Sequence, residues 1–302
     1  MVAVDDGSRD GSAAVLMAWA RRDPRLRVVR IPASGLVAAL NLGLRRARAP
    51  LLARMDADDG AHPERLALQA GRLRDDGAVQ VLGCRVRLRG VPGFANRGMR
   101  DYVRWQNGLV GHEAMVRELF VESPLAHPSL MMSTDRLRAL GGYRAFDGPE
   151  DYDLWLRCHA AGLRFGKVER TLLLWSDRPG RLTRTDPRYG RARFQALKLA
   201  ALARGLLRGR RPVVIWGAGP IGKSWARALG LGAHPVAAFV EVDPRKVGQR
   251  IHGARVVTVG DAGRFPGALH LAAVGQPGAR ARIRDEARRL GLREGLDLVA
   301  VA

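Results

Sequence analysis

Three carboxylates fall within four residues at Asp56, Asp58 and Asp59, directly after the apolar run Leu51–Met55. An Asp-x-Asp pair on a turn can aim its oxygens at one point. Hard cations such as Mg²⁺ or Mn²⁺ take oxygen ligands and bridge to diphosphate oxygens. The same residues could instead cap the helix expected from near Pro63. A second acidic stretch, Asp5-Asp6-Gly7-Ser8 with Asp10, closes the apolar run Val2–Val4. A third, Gly148-Pro149-Glu150-Asp151-Tyr152-Asp153, opens an apolar helix, where Asp151 reads as an N-terminal cap.

These residues need elements to position them. Patterning predicts strands at Val2–Val4, Leu26–Ile31 and Leu51–Met55, with helices over Ser12–Arg22 and Leu36–Ala47. Strands alternating with helices imply a parallel sheet covered on both faces, with ligands beyond the carboxyl ends of its strands. The first two acidic stretches fall at such ends.

Farther on, Val213–Trp216 leads into Gly217-Ala-Gly219-Pro-Ile-Gly222, and the next strand, Val236–Val240, ends at Glu241. Glycines at this spacing allow a tight turn and close backbone approach to a phosphate at a helix N-terminus, and an acidic residue ~20 positions on can bind ribose hydroxyls. Gly217, Gly219, Gly222 and Glu241 are therefore candidate contacts for a nucleotide or NAD(P). No His, Lys or Tyr constellation for hydride chemistry accompanies them.

Composition bounds the alternatives. Hydrophobic residues make up 47% and charged residues 26% of 302, which excludes a disordered or fibrous chain. Cys84 and Cys158 lie far apart, so neither a disulfide scaffold nor a cysteine-built zinc site is expected, and a reducing compartment fits. No apolar run reaches the ~18 residues of a membrane span, and no signal peptide is read at the start. The net charge is +22, with 47 arginines and only Lys167, Lys198, Lys223 and Lys246 as lysines. Such a skew fits Arg-rich codon usage as well as attraction to anionic partners. The charge is spread along the chain except at residues 188–211, which hold eight basic residues and no acidic one. That stretch reads as a basic amphipathic helix ending near Gly209, before Pro212 breaks the pattern. The domains expected are therefore 1–187, a linker 188–211, and 212–302. Aromatic residues are 6% and form no stacking array, so no nucleic-acid partner is expected.

The stretches VAVDDGSRDGS, ALNLGLRRARAPLLARMDADD and GPEDYDLWLR, in this order, resemble the inverting family 2 glycosyltransferases, as does ESPLAHPSLMMSTDRLRALGGYR between them. The resemblance covers roughly residues 1–185. It implies the GT-A nucleotide-diphospho-sugar transferase fold, a mostly parallel mixed sheet between helices. By motif, Asp5 and Asp6 match the pair that contacts the nucleotide base and ribose. Asp56 and Asp58 match the pair that holds the ribose and the divalent metal, with Asp58 the metal ligand. Asp151 matches the general base. Arg178 and Arg181 lie where the family has basic residues near the diphosphate, although a solvated loop explains them equally. His127 and Trp155 either line the acceptor side or serve structure and core.

The resemblance further implies Mn²⁺ or Mg²⁺ and a nucleotide-sugar donor. It also implies a glycan or lipid-linked acceptor, bacterial polysaccharide synthesis, and a cytoplasmic location with peripheral contact on an anionic membrane face. The family's first strand, Pro-containing turn and helix have no counterpart here, and codons upstream of Met1 are expected to encode them. Residues 212–302 resemble Rossmann-like nucleotide-binding domains, including those heading sugar-modifying acetyltransferases. The alternative reading is a nucleotide-sugar- or NAD(P)-binding oxidoreductase led by that second domain, with an inactive transferase part.

Overall fold

The computed structural model describes residues 1–90 and 97–302. Two compact units divide the chain: Met1–Gly108 with Leu125–Arg188, and Leu109–Pro124 with Tyr189–Ala302. The first domain expected from sequence was the unbroken segment 1–187; Leu109–Pro124 leaves it and joins the second unit. Contacts within that unit explain why. Lys198 Nζ donates to Val121 O at 2.7 Å, Val121 packs on the unit's apolar core, and Glu118 pairs with Arg280 and Arg284 at 3.2 and 2.7 Å.

The first unit opens with β1 (Val2–Asp6), α1 (Ser12–Arg22), β2 (Arg27–Ile31), α2 (Leu36–Arg46), β3 (Leu51–Ala53) and β4 (Gly60–Ala61). After α3 (Arg65–Asp75), β5 (Val79–Gly90) and α4 (Arg97–Gly108), the chain passes through α5 (His112–Glu118) of the second unit. It returns as β6 (Met131–Ser133), α6 (Thr134–Ala139), α7 (Glu150–Ala160), β7 (Arg164–Asp177) and α8 (Leu182–Thr185). The early alternation of strand and helix matches the sequence pattern, but the expected mostly parallel sheet is not formed as one piece. Among the described residues, β1 pairs in parallel with β2 as a two-stranded sheet. The other strands form a five-stranded sheet, β3-β6-β5-β7-β4, in which only β5 and β7 run parallel. The antiparallel partner of β3 is the three-residue β6, some 80 positions away; so short and distant a strand leaves no local periodicity to read.

Val81, Leu82, Cys84 and Val86 of β5 are buried, as a near-continuous apolar run predicts for a strand covered on both faces. Cys84 and Val86 pack with Leu172, Leu173 and Trp175 of β7 and Val103 of α4 in one core cluster of this unit. Cys84 and Cys158 are buried free thiols. Asn41 of α2 clamps the loop before α7: its Nδ2 donates to Tyr143 O at 2.7 Å and its Oδ1 accepts from Tyr143 N at 2.9 Å.

The second unit continues with α9 (Arg191–Arg204), β8 (Val213–Trp216), α10 (Pro220–Leu231), β9 (Val236–Val240), β10 (Arg250–Ile251) and β11 (Ala254–Val257). It ends with β12 (Leu269–Ala272), α11 (Ala279–Arg289) and β13 (Leu298–Ala300). Its sheet order is β10-β11-β9-β8-β12-β13, parallel except at β10. All four residues of β8 are buried beside its neighbours β9 and β12. Helix α9 stops at Gly205 rather than near Gly209, because Leu207 N turns back to Leu202 O at 2.8 Å. Gly209 lies in a separate turn with φ 71°.

His270 on β12 is wholly buried, and its Nδ1 accepts from Trp216 Nε1 at 3.0 Å. Burial, then the Arg211 charge, pulls its pKa down to about 4, against the weaker pull of Asp297. The unfolded chain therefore takes up this proton more readily than the folded one. Stability from His270 is present above pH ~6.5 and is lost as pH falls toward 4, by up to ~3 kcal/mol. Denaturant melts of the wild type and His270→Gln at pH 7 and pH 4.5 should differ, with the variant showing the smaller loss on acidification.

Candidate active site

Arg54 follows β3 directly, and the acidic turn comes at once after it. Arg54 is buried, its backbone N–H donating to Leu130 O at 2.9 Å and its Nη1 reaching Asp56 Oδ2 at 2.5 Å. Asp58 Oδ2 faces Arg178 Nε at 2.9 Å. Asp59 is buried; its Oδ1 accepts from Ser176 N of β7 at 2.7 Å, and its Oδ2 has no hydrogen-bond partner. Burial, helped by the charges of Asp56 and Asp58, pushes the Asp59 carboxyl up to about 6, against the Ser176 N–H, which stabilises the anion. One oxygen from each of Asp56, Asp58 and Asp59 lies within 4.8 Å of the others. A buried carboxylate oxygen without a donor, beside two more carboxylates, suits a hard divalent cation better than a plain helix cap.

The first acidic pair is held by its own loops. Asp5 Oδ1 accepts from Ser8 N at 3.0 Å, and Oδ2 lies 3.1 Å from Arg30 Nε. The Ser8 bond, with Arg30, keeps its carboxyl below the ordinary aspartate range. Asp6 accepts from Ser34 N at 2.7 Å and Gly35 N at 2.8 Å, at the start of α2. Gly7 takes φ 71°, and a Cβ there would stand 2.7 Å from Ala33 N, so the turn requires glycine. Ser34 and Gly35, with Asn41, Arg45, Phe146 and Arg188, line a cleft of about 420 Å³. This cleft connects the loop held by Asp6 to the loop that leads into α7.

Asp151 is the second residue of α7, with Pro149 at the N-cap position. Its Oδ1 accepts from the adjacent Tyr152 N, a first-turn amide of the helix, at 2.7 Å. Glu150 is buried and faces His127 Nδ1 at 3.5 Å, while His127 Nε2 lies 3.0 Å from Tyr143 Oη. Asp153 is also buried and is held by Arg157 Nε at 2.7 Å. Charges reaching His127 include Arg54, Glu150 and Asp56, and those reaching Tyr143 include Arg54, Glu150 and Asp151. Arg54 thus holds the acidic turn, while His127, backed by Tyr143, holds the first turn of α7.

Of the residues singled out in the sequence, Arg178 joins the acidic turn and Arg181 does not. The Arg181 guanidinium lies 4.5 Å from the Trp175 ring centroid and 3.6 Å from Asp177. Trp155 is fully buried, as a core residue, with its ring edge-on to His127 at 6.1 Å. Arg54, Asp59, Tyr143 and Ser176 carry site contacts that the motifs did not assign to them. An arginine inside the apolar strand LLARM was the one available signal for Arg54.

In the second unit, Gly217 takes φ 104°, and a Cβ on Gly222 would meet Gly217 O at 1.9 Å, so both positions require glycine. Glu241 does not stand apart from the loop. It accepts from Ala218 N at 3.1 Å, Val242 N at 2.9 Å and Asp243 N at 3.3 Å, and lies 3.1 Å from Lys246 Nζ.

Residues 1–137 match the family model described as Glycosyl transferase family 2. The match stops short of Asp151. The chain is 28% identical to the amylovoran biosynthesis glycosyltransferase AmsE of Erwinia amylovora over 69% of this chain and 77% of that protein. It is 28% identical to the UDP-Gal:alpha-D-GlcNAc-diphosphoundecaprenol beta-1,3-galactosyltransferase of Escherichia coli over 46% of this chain and 48% of that one. Two other curated relatives are spanned over 60% and 61% of their length. The crystal structure of S. aureus TarS 1–349 in complex with UDP-GlcNAc superposes with TM-score 0.51 at 16% identity, covering 96% of this chain and 80% of that one. That likeness is one of fold. Residues 1–137 are thus similar to family 2 glycosyltransferases, and the curated relatives are named as glycosyltransferase enzymes. The oxidoreductase alternative is not favoured.

The Arg178–Asp58 pair yields a direct test. A cation held by Asp58 would have to displace Arg178, and an exposed pair of this kind contributes ~0.2–1 kcal/mol. Arg178→Ala should therefore tighten binding of Mn²⁺ alone by up to ~5-fold in isothermal titration. Unchanged or weaker Mn²⁺ binding would remove Arg178 from the cation site.

Proposed function

We propose that the chain moves a sugar from a nucleotide-diphospho-sugar donor to an acceptor hydroxyl, with inversion and with the help of a divalent metal. The observation that carries this reading is the presence of two carboxylate sets in one unit. One is a cluster with a buried, partnerless oxygen, and the other is Asp151 at the start of α7. In this reading Asp58, with Asp56 and Asp59, holds Mn²⁺ or Mg²⁺. Bound there, the ion would offset the charge that builds on the departing diphosphate. Asp5 and Asp6 fix the loops against which base and ribose lie, and Asp56 contacts the ribose. Asp151 takes the proton of the acceptor hydroxyl as its oxygen attacks the anomeric carbon; the C–O bond to the diphosphate breaks, and one such displacement inverts the centre.

The acceptor is a glycan or a lipid-linked sugar, by analogy with the E. coli relative, whose acceptor is a diphosphoundecaprenol-linked sugar. No helix among the described residues is long and apolar enough to cross a membrane. A cytoplasmic location and contact of the basic stretch 188–211 with an anionic membrane face belong to the same proposal. For residues 212–302 we propose a Rossmann-like domain that binds a nucleotide, a nucleotide sugar or NAD(P). Its parallel strand order, the positive φ of Gly217 and the tight packing at Gly222 support this. With Glu241 engaged by Ala218 N, the first-turn amides of α10 are its stronger candidates for phosphate contact.

A screen of UDP- and GDP-sugars for Mn²⁺-dependent release of nucleoside diphosphate tests the activity. Asp58→Ala should abolish that release; near-normal turnover would reduce the acidic turn to a structural role. Asp151→Asn should keep thermal stability and nucleotide diphosphate binding while transfer falls at least ~10²-fold, because a neutral amide cannot accept the proton. Transfer within a few-fold of wild type would move the search to Glu150 and Asp153.

A further inference from the structure

Next to the proposed base lies a buried polar cluster that the reaction as written does not use. His127, Tyr143 and Glu150 are all buried, and they come from three separate stretches of chain. His127 sits in a short helical turn, His127–Ser129, fastened by Ser129 Oγ donating to Ala126 O at 2.7 Å and Gln69 Nε2 donating to Ser129 O at 2.8 Å. Tyr143 is fixed through its backbone by Asn41 of α2. The imidazole therefore stands on a rigid base and touches α7 twice, at Glu150 in the first turn and at Trp155 one turn on.

Protonation is consistent with a neutral ring. Burial first, and the Arg54 charge second, lower the proton affinity of His127, outweighing Glu150 and Asp56. Burial pushes the Tyr143 phenol up, so its hydroxyl keeps its proton and can donate to His127 Nε2. The tautomer that satisfies both contacts carries its hydrogen on Nδ1, facing the Glu150 carboxylate.

We propose that His127 and Glu150 are positioning residues for Asp151: the Tyr143–His127–Glu150 chain pins the first residue of α7 and so sets where the neighbouring carboxylate stands. Two features make the pin consequential. Pro149, at the N-cap position, has no side-chain acceptor for the first-turn amides, so the helix start depends on contacts made by the residues that follow it. A proton acceptor is effective only within hydrogen-bond reach of the attacking hydroxyl, and a displacement of about 1 Å can cost ~10²-fold in rate. The inference rests on the base role of Asp151.

The test compares removal with conservative replacement in the full chain, using the nucleotide sugar that gives the most diphosphate release in the Mn²⁺ screen. Glu150→Ala should lower kcat by ~10–100-fold with donor KM within about threefold of wild type. Glu150→Gln should recover most of that loss, because its amide oxygen still accepts from Nδ1–H. His127→Phe should behave like Glu150→Ala, and His127→Asn, which can still donate to Glu150, should sit between it and wild type. Hydrogen exchange of the Tyr152 amide, which donates to Asp151 Oδ1, needs no substrate; it should speed up in Glu150→Ala and His127→Phe and stay protected in Glu150→Gln. Equal loss in Glu150→Gln and Glu150→Ala would overturn the proposal, since Glu150 would then act through its charge. Wild-type kcat and unchanged exchange in both Glu150→Ala and His127→Phe would overturn it too. If Asp151→Asn keeps wild-type transfer while the Tyr152 amide still responds as expected, the base assignment fails and the pinning of α7 stands.

Discussion

A buried guanidinium is the constraint on which the first unit's site depends. Arg54 carries a full charge at the end of an apolar strand, and its Nε has no partner. A buried cation must be paired, and Asp56 two residues on supplies the anion. The backbone around Arg54 is tied down as well, with its N–H on Leu130 and its carbonyl accepting from Arg65 Nη2 at 2.8 Å. Arg65 is itself buried and anchored on Gln69, whose amide spans to Leu82 and Ser129. Fixing one charge thus fixes the acidic turn, the start of β6 and the base of the His127 turn together.

The division of labour in the candidate site follows from that anchoring. On one side, Asp56, Asp58 and Asp59 are held close despite their mutual repulsion, with Asp59 additionally tied to β7 through Ser176. On the other, α7 presents Glu150 and Asp151 in adjacent positions with opposite fates: one buried against an imidazole, the other half-buried and bonded to its neighbour's amide.

The second unit has a different logic. Its strands are buried apolar runs in a nearly all-parallel order, and the glycine-rich turn follows β8, which is buried throughout. Glu241 closes on that turn by accepting from Ala218, so the acidic residue at the end of β9 is itself part of the loop's architecture. The segment Leu109–Pro124 belongs here because a lysine amine and an arginine pair, Lys198 with Arg280 and Arg284, find carbonyl and carboxylate partners on it.

Local chemistry made much of this visible in the amino-acid sequence. Helices Ser12–Arg22 and Leu36–Arg46, the strands before Asp5 and Asp56, and the glycines at 217 and 222 follow from periodicity and backbone sterics, which act over a few residues. The acidic motifs were legible for the same reason, since carboxylates close in sequence stay close in space. What the sequence could not reveal depends on pairing between distant segments: the antiparallel match of β3 with β6, the move of Leu109–Pro124 to the second unit, and the burial of Asp59 under Ser176. The placing of Asp151 in the first turn of α7 was likewise tertiary. It turned on Pro149 taking the cap position and on His127, 23 residues earlier in the chain, taking hold of Glu150. Local sequence sets which conformations are cheap, whereas burial and charge pairing, which depend on what packs against a residue, decide which of its side chains are left to act.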